Sequence, residues 1–259
     1  MTLIPRTPEG KRLRASPEKT RPSFLWPLAA IARPLSMPLY RVHYHDAYKL
    51  PRSGPFILAP NHYSEIDPIV VALAVWRMGR APRFLAKAGL FKNPVLGFIL
   101  RNAGQIPVER MGSSRGNDPV QAASKLVEEG QGVIIYPEGT LTREPNLWPM
   151  RGKTGVARIA LTHNIPVYPM AHWGVQEVMP RYGKKISLFP RKRVDIIIGD
   201  PVDLSAYAGK DHDARAITEA TDVVMAGITE LLEVLRDEKA PAERWDPSKH
   251  NQSETGKFE

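Results

Sequence analysis

The sequence predicts a single α/β domain in which a mixed, mostly parallel sheet is flanked by helices, with a further helical segment at the N-terminus. Short apolar runs alternate with helix-like patterns along the 259 residues, as in folds that cover a sheet with helices. One run, Val133-Ile134-Ile135-Tyr136, is apolar throughout, which is typical of a parallel strand buried on both faces. The sequence contains no internal repeat or dividing linker, and its length fits one domain.

The composition narrows the possible functions. Hydrophobic residues make up 42% of the chain and charged residues 24%, which is ordinary for a globular protein. There is no cysteine, so disulfides, thiolate zinc sites and a cysteine nucleophile are excluded. The net charge of +9 predicts an anionic partner, which could be nucleic acid, an acidic membrane face or a phosphorylated substrate.

Apolar runs bounded by glycine and proline predict the strands, and capping residues with helical spacing predict the helices. A strand and turn are expected within 39–53, followed by strands at 56–59, 83–86, 104–110, 133–136, 165–171 and 194–199. Helices are expected at 69–76, 120–129, 151–163 and 213–236. These elements together predict a domain over residues 46–238.

Both ends of the chain differ from this domain. Residues 1–22 carry six lysines and arginines against two glutamates, which predicts a basic disordered tail or a polybasic arm attracted to anionic lipid. Residues 23–45 are apolar but contain three prolines. They are expected to form an amphipathic helical segment that lies on a membrane surface rather than crossing it. Residues 239–259 are expected to be a polar, disordered tail.

Three further features allow more than one interpretation. The apolar residues between 90 and 100 form either a core helix or a contact for an acyl chain or the bilayer. The cationic run 181–193 is either a solvated loop or a second electrostatic contact with an anionic membrane. His43 and His45 could form a metal pair on one strand face, but no third ligand is near in sequence, so we interpret them as ordinary strand residues.

The stretch from Asn61 to Pro68 carries the strongest chemical pattern. His62 follows the strand at 56–59, and Asp67 is the expected N-cap of the next helix, with Pro68 at its first position. The Asp67 carboxylate could then fix the tautomer and orientation of the His62 imidazole, as a general base requires. In the alternative interpretation Asp67 only caps the helix and His62 is an ordinary loop residue.

Other charged residues also follow predicted strands. Lys87, Arg110 and Glu138 each come at or just after the end of a strand. Because ligands of such sheets bind beyond the carboxyl ends of the strands, these residues are expected to share one site with His62.

Four sequence blocks, taken in order, resemble one protein family. They are Asn61-His62-(x4)-Asp67, Gly104-x-Ile106-Pro107-Val108-x-Arg110, Tyr136-Pro137-Glu138-Gly139-Thr140 and Ile165-Pro166-Val167-x-Pro169. Over about residues 38–200 the chain resembles the glycerolipid acyltransferases, in particular the bacterial 1-acyl-glycerol-3-phosphate (lysophosphatidic acid) acyltransferases. Tyr136 stands where phenylalanine is commoner, and Leu141-Thr142-Arg143 where an arginine-serine pair is usual. These departures bear on the acceptor more than on the reaction.

The resemblance implies transfer of a fatty acyl group from acyl-CoA or acyl carrier protein to the free hydroxyl of 1-acyl-glycerol 3-phosphate, giving phosphatidic acid. His62 would be the general base and Asp67 would hold it, with direct transfer rather than an acyl-enzyme. No metal or other cofactor is implied. The protein would work at the cytoplasmic face of the cell membrane as a peripheral or monotopic protein.

The resemblance also implies an acceptor site near His62. A guanidinium suits the acceptor phosphate because its fork of donors allows bidentate contact, whereas a carboxylate would hold a glycerol hydroxyl or orient a cation. The residues implied in acceptor and phosphate binding are Arg110, Lys87, Lys153, Glu138, Gly139 and Thr140.

Three other functions stay open at this point. The same chemistry could use glycerol 3-phosphate, another lysophospholipid or a glycolipid as acceptor. A basic nucleic-acid-binding domain is allowed by the charge, although aromatic residues are not interleaved with the cations as a stacking platform requires. A membrane-associated scaffold without activity would keep the apolar N-terminus and tolerate loss of His62.

Overall fold

A computed structural model describes residues 5–108 and 128–253 of the chain. Its main sheet has five strands in the order β1-β7-β6-β2-β5, and only the β6–β7 pair is antiparallel within the described residues. This confirms the predicted mixed, mostly parallel sheet. The strands of the main sheet are β1 (Tyr40–His45), β2 (Phe56–Pro60), β5 (Gly132–Ile134), β6 (Val167–Trp173) and β7 (Lys192–Ile198).

A second, two-stranded parallel sheet pairs β3 (Leu85–Lys87) with β4 (Ile106–Val108). It joins the main sheet at the outer side of β5, where Phe84 bridges Ile134 and the Ile134 amide donates to the Arg83 carbonyl at 2.7 Å. The carboxyl ends of β2, β3 and β4 therefore face one edge of the molecule, as the sequence predicts.

Helices cover both faces of the main sheet. The helices are α1 (Pro17–Thr20), α2 (Leu25–Ser36), α3 (Asp67–Met78), α4 (Pro94–Asn102), α5 (Gly155–His163), α6 (Val175–Val178) and α7 (Ala214–Arg236). Short 3-10 helices occupy Ala47–Lys49, Ala88–Lys92, Ser205–Tyr207 and Pro247–His250. Most of the predicted helix 120–129 lies outside the described residues.

Each face of the sheet has its own apolar core. On one face Val71 of α3 packs with Leu58 and Ile196, and on the other Val224 of α7 packs with Ile57. Full burial of each such side chain contributes about 1.5–3 kcal/mol. The two cores explain why these strands are apolar on both faces.

The segment before the sheet differs from the prediction of a disordered tail. Within residues 5–22, the Glu18 carboxylate contacts the guanidinium groups of Arg80 and Arg83. The Ser16 amide donates to the carbonyl of Gly79, just beyond the end of α3, at 2.8 Å. This stretch is held to the domain because Glu18 neutralises an almost fully buried arginine, Arg80.

The segment predicted at 23–45 also divides differently. Its helix, α2, ends at Ser36, and Tyr40–His45 is an edge strand of the main sheet that runs parallel to β7. Every residue of α2 is at least partly exposed, including Trp26, Ile31 and Leu35. Among the residues that the structure describes, no helix combines the length and apolarity needed to cross a bilayer.

The C-terminal segment is likewise packed on the domain up to residue 253, contrary to the prediction of a disordered tail. The Trp245 carbonyl accepts from the Arg151 amide at 2.8 Å, and the Trp245 ring stacks on His250 with centroids 3.5 Å apart. Arg244 pairs with Asp222 of α7 at 2.6 Å. The prediction failed because a tryptophan and paired charges hold the segment in place, although its average composition is polar.

The apolar patch at 90–100 is not a core helix. In α4 Gly97 is buried, whereas Val95 is 70% exposed and Phe98 55% exposed. Phe98 meets Phe24, at the start of α2, edge to face with centroids 5.8 Å apart. The two helices therefore present neighbouring exposed apolar side chains.

Candidate active site

His62 and Asp67 form the predicted pair. The His62 Nδ1 atom lies 3.0 Å from Asp67 Oδ2, and the same oxygen accepts from the amides of Tyr63 and Ser64 at 2.7 Å each. Because the carboxylate can only accept, Nδ1 carries the proton and Nε2 keeps its lone pair. The His62 side chain is 16% exposed, whereas that of Asp67 is fully buried. This geometry fixes the tautomer of His62, as a general base would require.

Asp67 does not cap the helix as predicted. Ile66 is the N-cap of α3 and Asp67 is its first residue. The Asp67 carboxylate turns back to the amides of the preceding loop, which compete for the same acceptor as the helix amides would. Its place in the first turn also favours a negative charge, because the N-terminal end of a helix is partially positive.

The Glu138 carboxylate braces the main chain of His62. Its Oε1 accepts from the His62 amide at 3.1 Å, and its Oε2 accepts from the Met150 amide at 3.0 Å. The amide of Thr142 donates to the His62 carbonyl at 2.7 Å, so both backbone groups of His62 are held. Glu138 is only 1% exposed, and burial raises its pKa to about 8. Both oxygens therefore hold buried backbone, a role that the sequence did not predict, and contact of Glu138 with a glycerol hydroxyl or a cation stays a prediction.

Tyr136 stacks on the His62 imidazole, a role that the sequence did not predict. The ring centroids are 4.1 Å apart and the planes are inclined by 26°. Phe84 lies behind Tyr136 at 6.1 Å. An aromatic face favours a cation above it, so this ring would stabilise a protonated His62.

Two of the cations predicted for the acceptor, Lys87 and Lys153, lie within the described residues. Lys87 is exposed at the end of β3. The Lys153 side chain crosses Gly139, whose φ is +69°, so closely that a Cβ there would lie 3.0 Å from Lys153 Cδ. Thr140 follows in the same loop and is partly exposed. Arg110 lies outside the described residues, so its contact with phosphate stays a prediction.

The cationic run at 181–193 has mixed roles. Arg181 donates to the carbonyls of Thr142 and Glu144 at 2.7 and 2.8 Å, which fixes the loop after the glutamate block. Arg193 pairs with Asp195 at 2.6 Å. Lys184 and Lys185 are exposed, beside the exposed apolar residues Ile186, Leu188 and Phe189.

Comparison with known proteins gives the family. Residues 41–173, just over half of the chain, match the family model described as "Acyltransferase". The chain belongs to the acyltransferase family. All four blocks singled out in the sequence lie within the matched residues, and the resemblance drawn from them is confirmed.

Two similar proteins illustrate the relationship. The chain is 31% identical over 184 residues to the chloroplastic 1-acyl-sn-glycerol-3-phosphate acyltransferase BAT2 of Brassica napus, covering 70% of this chain and 52% of that one. It is 31% identical over 181 residues to the 1-acyl-sn-glycerol-3-phosphate acyltransferase of Bacillus subtilis (strain 168), covering 69% and 83%. The chain thus spans about half of the plant relative and most of the bacterial one.

The fold also matches a solved structure. The crystal structure of the 1-acyl-sn-glycerophosphate (LPA) acyltransferase PlsC from Thermotoga maritima superposes with a TM-score of 0.61 at 22% identity, covering 80% of this chain and 79% of that one. At this identity the likeness supports the fold.

Proposed function

We propose that the protein transfers a fatty acyl group from a thioester carrier to the free hydroxyl of 1-acyl-glycerol 3-phosphate, forming phosphatidic acid for phospholipid synthesis. The observation that carries this proposal is the His62–Asp67 pair, whose Nε2 lone pair is available on a partly exposed imidazole. The names of the plant and bacterial relatives support the choice of acceptor.

In the proposed reaction, His62 Nε2 accepts the proton of the acceptor hydroxyl while the hydroxyl oxygen attacks the thioester carbonyl carbon. The carbon–sulfur bond then breaks, and the thiolate takes the proton back from the imidazolium. Asp67 and the Tyr136 ring stabilise the imidazolium between these steps. The proton lost by the hydroxyl thus ends on the thiol of the carrier.

Direct transfer needs no acyl-enzyme. The chain has no cysteine, and the nearby Ser64 is buried, with its hydroxyl donating to the Met179 carbonyl at 2.7 Å. Ser64 is therefore poorly placed as a nucleophile. Acyl-CoA and acyl carrier protein both supply the thioester, and the mechanism uses no further cofactor or metal.

In this proposal the acceptor phosphate binds Lys87, Lys153 and Arg110. Lys87 and Lys153 are exposed near the carboxyl ends of the strands, and Arg110 follows β4 in sequence. Gly139 and Thr140 would line the same site beside Lys153. Lysine contributes a point charge and arginine a bidentate fork to such a phosphate.

The same proposal places the protein peripherally on the cytoplasmic face of the cell membrane. Three features support an anionic bilayer as the partner: the exposed apolar side chains of α2, those of α4, and the 184–189 loop, where two lysines precede Ile186, Leu188 and Phe189. The chain that follows this loop meets the chain that follows α2, where the Lys192 amide donates to the Leu39 carbonyl at 2.9 Å. Apolar side chains flanked by cations are typical of interfacial binding.

The test is a mass-spectrometric assay of purified protein with 1-acyl-glycerol 3-phosphate, palmitoyl-CoA and anionic liposomes. We expect phosphatidic acid from wild type, none from His62→Ala, and about 10⁴-fold slower turnover from Asp67→Asn, because the amide favours the wrong tautomer. His212→Ala is the matched control, since that histidine is 97% exposed. Turnover by His62→Ala at the wild-type rate would remove His62 from the mechanism. A wild-type protein that does not acylate 1-acyl-glycerol 3-phosphate, but does acylate glycerol 3-phosphate or another lysophospholipid, would keep the reaction and change the proposed acceptor.

A further inference from the structure

A second histidine, His172, lies next to the reaction centre and is fully buried. It belongs to β6, the strand beside β2, and follows Met170, which pairs with Pro60 at the end of β2. The paired strands therefore bring His172 level with the loop that carries His62. A polar ring inside an apolar core is costly unless its nitrogens are hydrogen-bonded, so its partners indicate what it is for.

Asn61, the residue before His62, is bound to His172 in three ways. The Asn61 side-chain amide donates to the His172 carbonyl at 3.1 Å, and its oxygen accepts from the His172 amide at 2.9 Å. The His172 Nε2 atom lies 3.0 Å from the Asn61 carbonyl. Since a carbonyl only accepts, Nε2 carries the ring proton. The main chain and the side chain of Asn61 are thus both fixed.

Tyr63, the residue after His62, is bound to the same histidine. Its hydroxyl donates to the His172 carbonyl at 2.9 Å and lies 3.0 Å from His172 Nδ1. The two rings also pack at 4.9 Å. Tyr63 in turn donates its amide to Asp67 Oδ2, so the contacts of His172 continue into the carboxylate that orients the base.

Asp67 itself stands between the two histidines. Its Oδ2 faces His62, while its Oδ1 is buried and has no hydrogen-bond partner within the described part of the chain. His172 Nδ1 lies 3.9 Å from this oxygen. Burial lowers the pKa of His172, which agrees with a neutral ring that holds its one proton on Nε2.

We propose that His172 is a positioning residue: it clamps the chain neighbours on both sides of His62, so that His62 Nδ1 stays on Asp67 and Nε2 points to the acceptor hydroxyl. The effect of this clamp on turnover rests on the proposed function. We expect such an effect because displacing a reacting group by about 1 Å can lower the rate about 10²-fold. A residue that merely fills the core would affect stability without affecting the orientation of the base.

Three variants distinguish a residue that positions His62 from one that only fills the core. His172→Leu removes both ring nitrogens, His172→Gln keeps an amide donor within reach of the Asn61 carbonyl, and Tyr63→Phe removes only the hydroxyl. We expect kcat to fall about 10²-fold in His172→Leu and about 10-fold in Tyr63→Phe. His172→Gln should recover to within about 10-fold of wild type. The KM values for both substrates should stay within about 3-fold, because the lost interaction acts in the transition state. Thermal unfolding gives the folded fraction of each variant, and kcat is calculated per folded molecule.

A second readout does not depend on turnover. Proton NMR should show a downfield, slowly exchanging signal for the His62 Nδ1 proton shared with Asp67, which His62→Ala identifies by its loss. We expect this signal to broaden or move upfield in His172→Leu and less so in His172→Gln. If wild type proves inactive with every acceptor, the proposed function fails while this signal still tests the clamp.

The proposal is overturned if folded His172→Leu retains kcat within about 3-fold of wild type, or if the His62 signal is unchanged. If His172→Leu does not fold, the decision passes to the milder pair. A Tyr63→Phe protein with wild-type kcat and an unchanged signal then rejects the clamp. Losses in kcat and in the signal that His172→Gln partly restores support it.

Discussion

The His62 loop and the outer surface of α2 and α4 use their side chains in opposite ways. Around His62, buried carboxylate oxygens accept from loop amides, as Glu138 Oε1 and Asp67 Oδ2 do. On the outer surface, apolar residues such as Val95 and Leu35 face outward. Exposed apolar side chains in such a cluster indicate an external partner.

The contrast separates two tasks of one enzyme fold. The reaction centre is preorganised, so its geometry costs nothing at the moment of reaction. The exposed apolar side chains of the outer surface would be buried only by an external partner, for which we have proposed a lipid bilayer. Changes in the first region should therefore act on kcat, and changes in the second on how much protein reaches its lipid substrate.

Of the changes that test this contrast, Glu138→Gln is expected to have the largest effect. A glutamine can offer one oxygen and one amino group, so either the His62 or the Met150 amide would face a donor. An unsatisfied buried amide costs about 1–3 kcal/mol. We expect the free energy of unfolding in urea to fall by about that amount and kcat to fall about 10²-fold, because the His62 backbone shifts. Glu177→Gln, at an exposed position on α6, is the control.

Glu138 also sets a pH dependence. Its pKa rises from 4.5 to about 8 on folding, so between these values the folded state binds the extra proton. The stability that this group contributes is then lost as the pH rises through about 8. The unfolding free energies of wild type and Glu138→Gln should differ more at pH 5 than at pH 9. A gap that widens with pH would instead mean that the two backbone donors keep Glu138 ionised.

The next effect concerns the outer surface. Phe189 is 82% exposed, and burying a phenylalanine contributes about 1.5–3 kcal/mol, so Phe189→Ser should weaken partitioning to vesicles of phosphatidylglycerol and phosphatidylcholine about 10- to 100-fold. Replacing Lys184 by alanine should cost about 1 kcal/mol of binding at low salt. Val234→Ser, at an exposed apolar position on α7, is the matched control. Equal losses for the control and for Phe189→Ser would remove the 184–189 loop from the membrane contact.

The site was predictable from the sequence where its signals are local. His62 and Asp67 are five residues apart, and the strand and helix on either side set their geometry. The predicted N-cap role of Asp67 failed because loop and helix amides compete for one carboxylate, and spacing alone does not say which wins. The sheet was predictable because apolar runs between glycine and proline report burial directly.

The rest depends on partners that are distant in sequence. His172 lies more than a hundred residues from Asn61, and in the sequence it is a single histidine just after the strand predicted at 165–171. Glu18 looks like part of a basic tail until the fold brings Arg80 to it. The terminal segments were predicted to be disordered from their composition, which reports average polarity rather than a few specific anchors.

The smallest expected effect tests how the centre uses its aromatic ring. The Tyr136 hydroxyl is buried and has no hydrogen-bond partner among the residues that the structure describes, whereas its ring stacks on His62. Removing an unsatisfied buried hydroxyl relieves a desolvation cost, so Tyr136→Phe should keep kcat within about 2-fold of wild type and leave stability unchanged or about 1 kcal/mol higher. Tyr136→Leu keeps an apolar side chain but loses the aromatic face, and its kcat should fall about 10-fold through the loss of about 1 kcal/mol or more of imidazolium stabilisation. The comparison of the two variants in one steady-state assay separates the ring from the hydroxyl. A larger loss in Tyr136→Phe than in Tyr136→Leu would show that the hydroxyl, rather than the ring, serves the reaction.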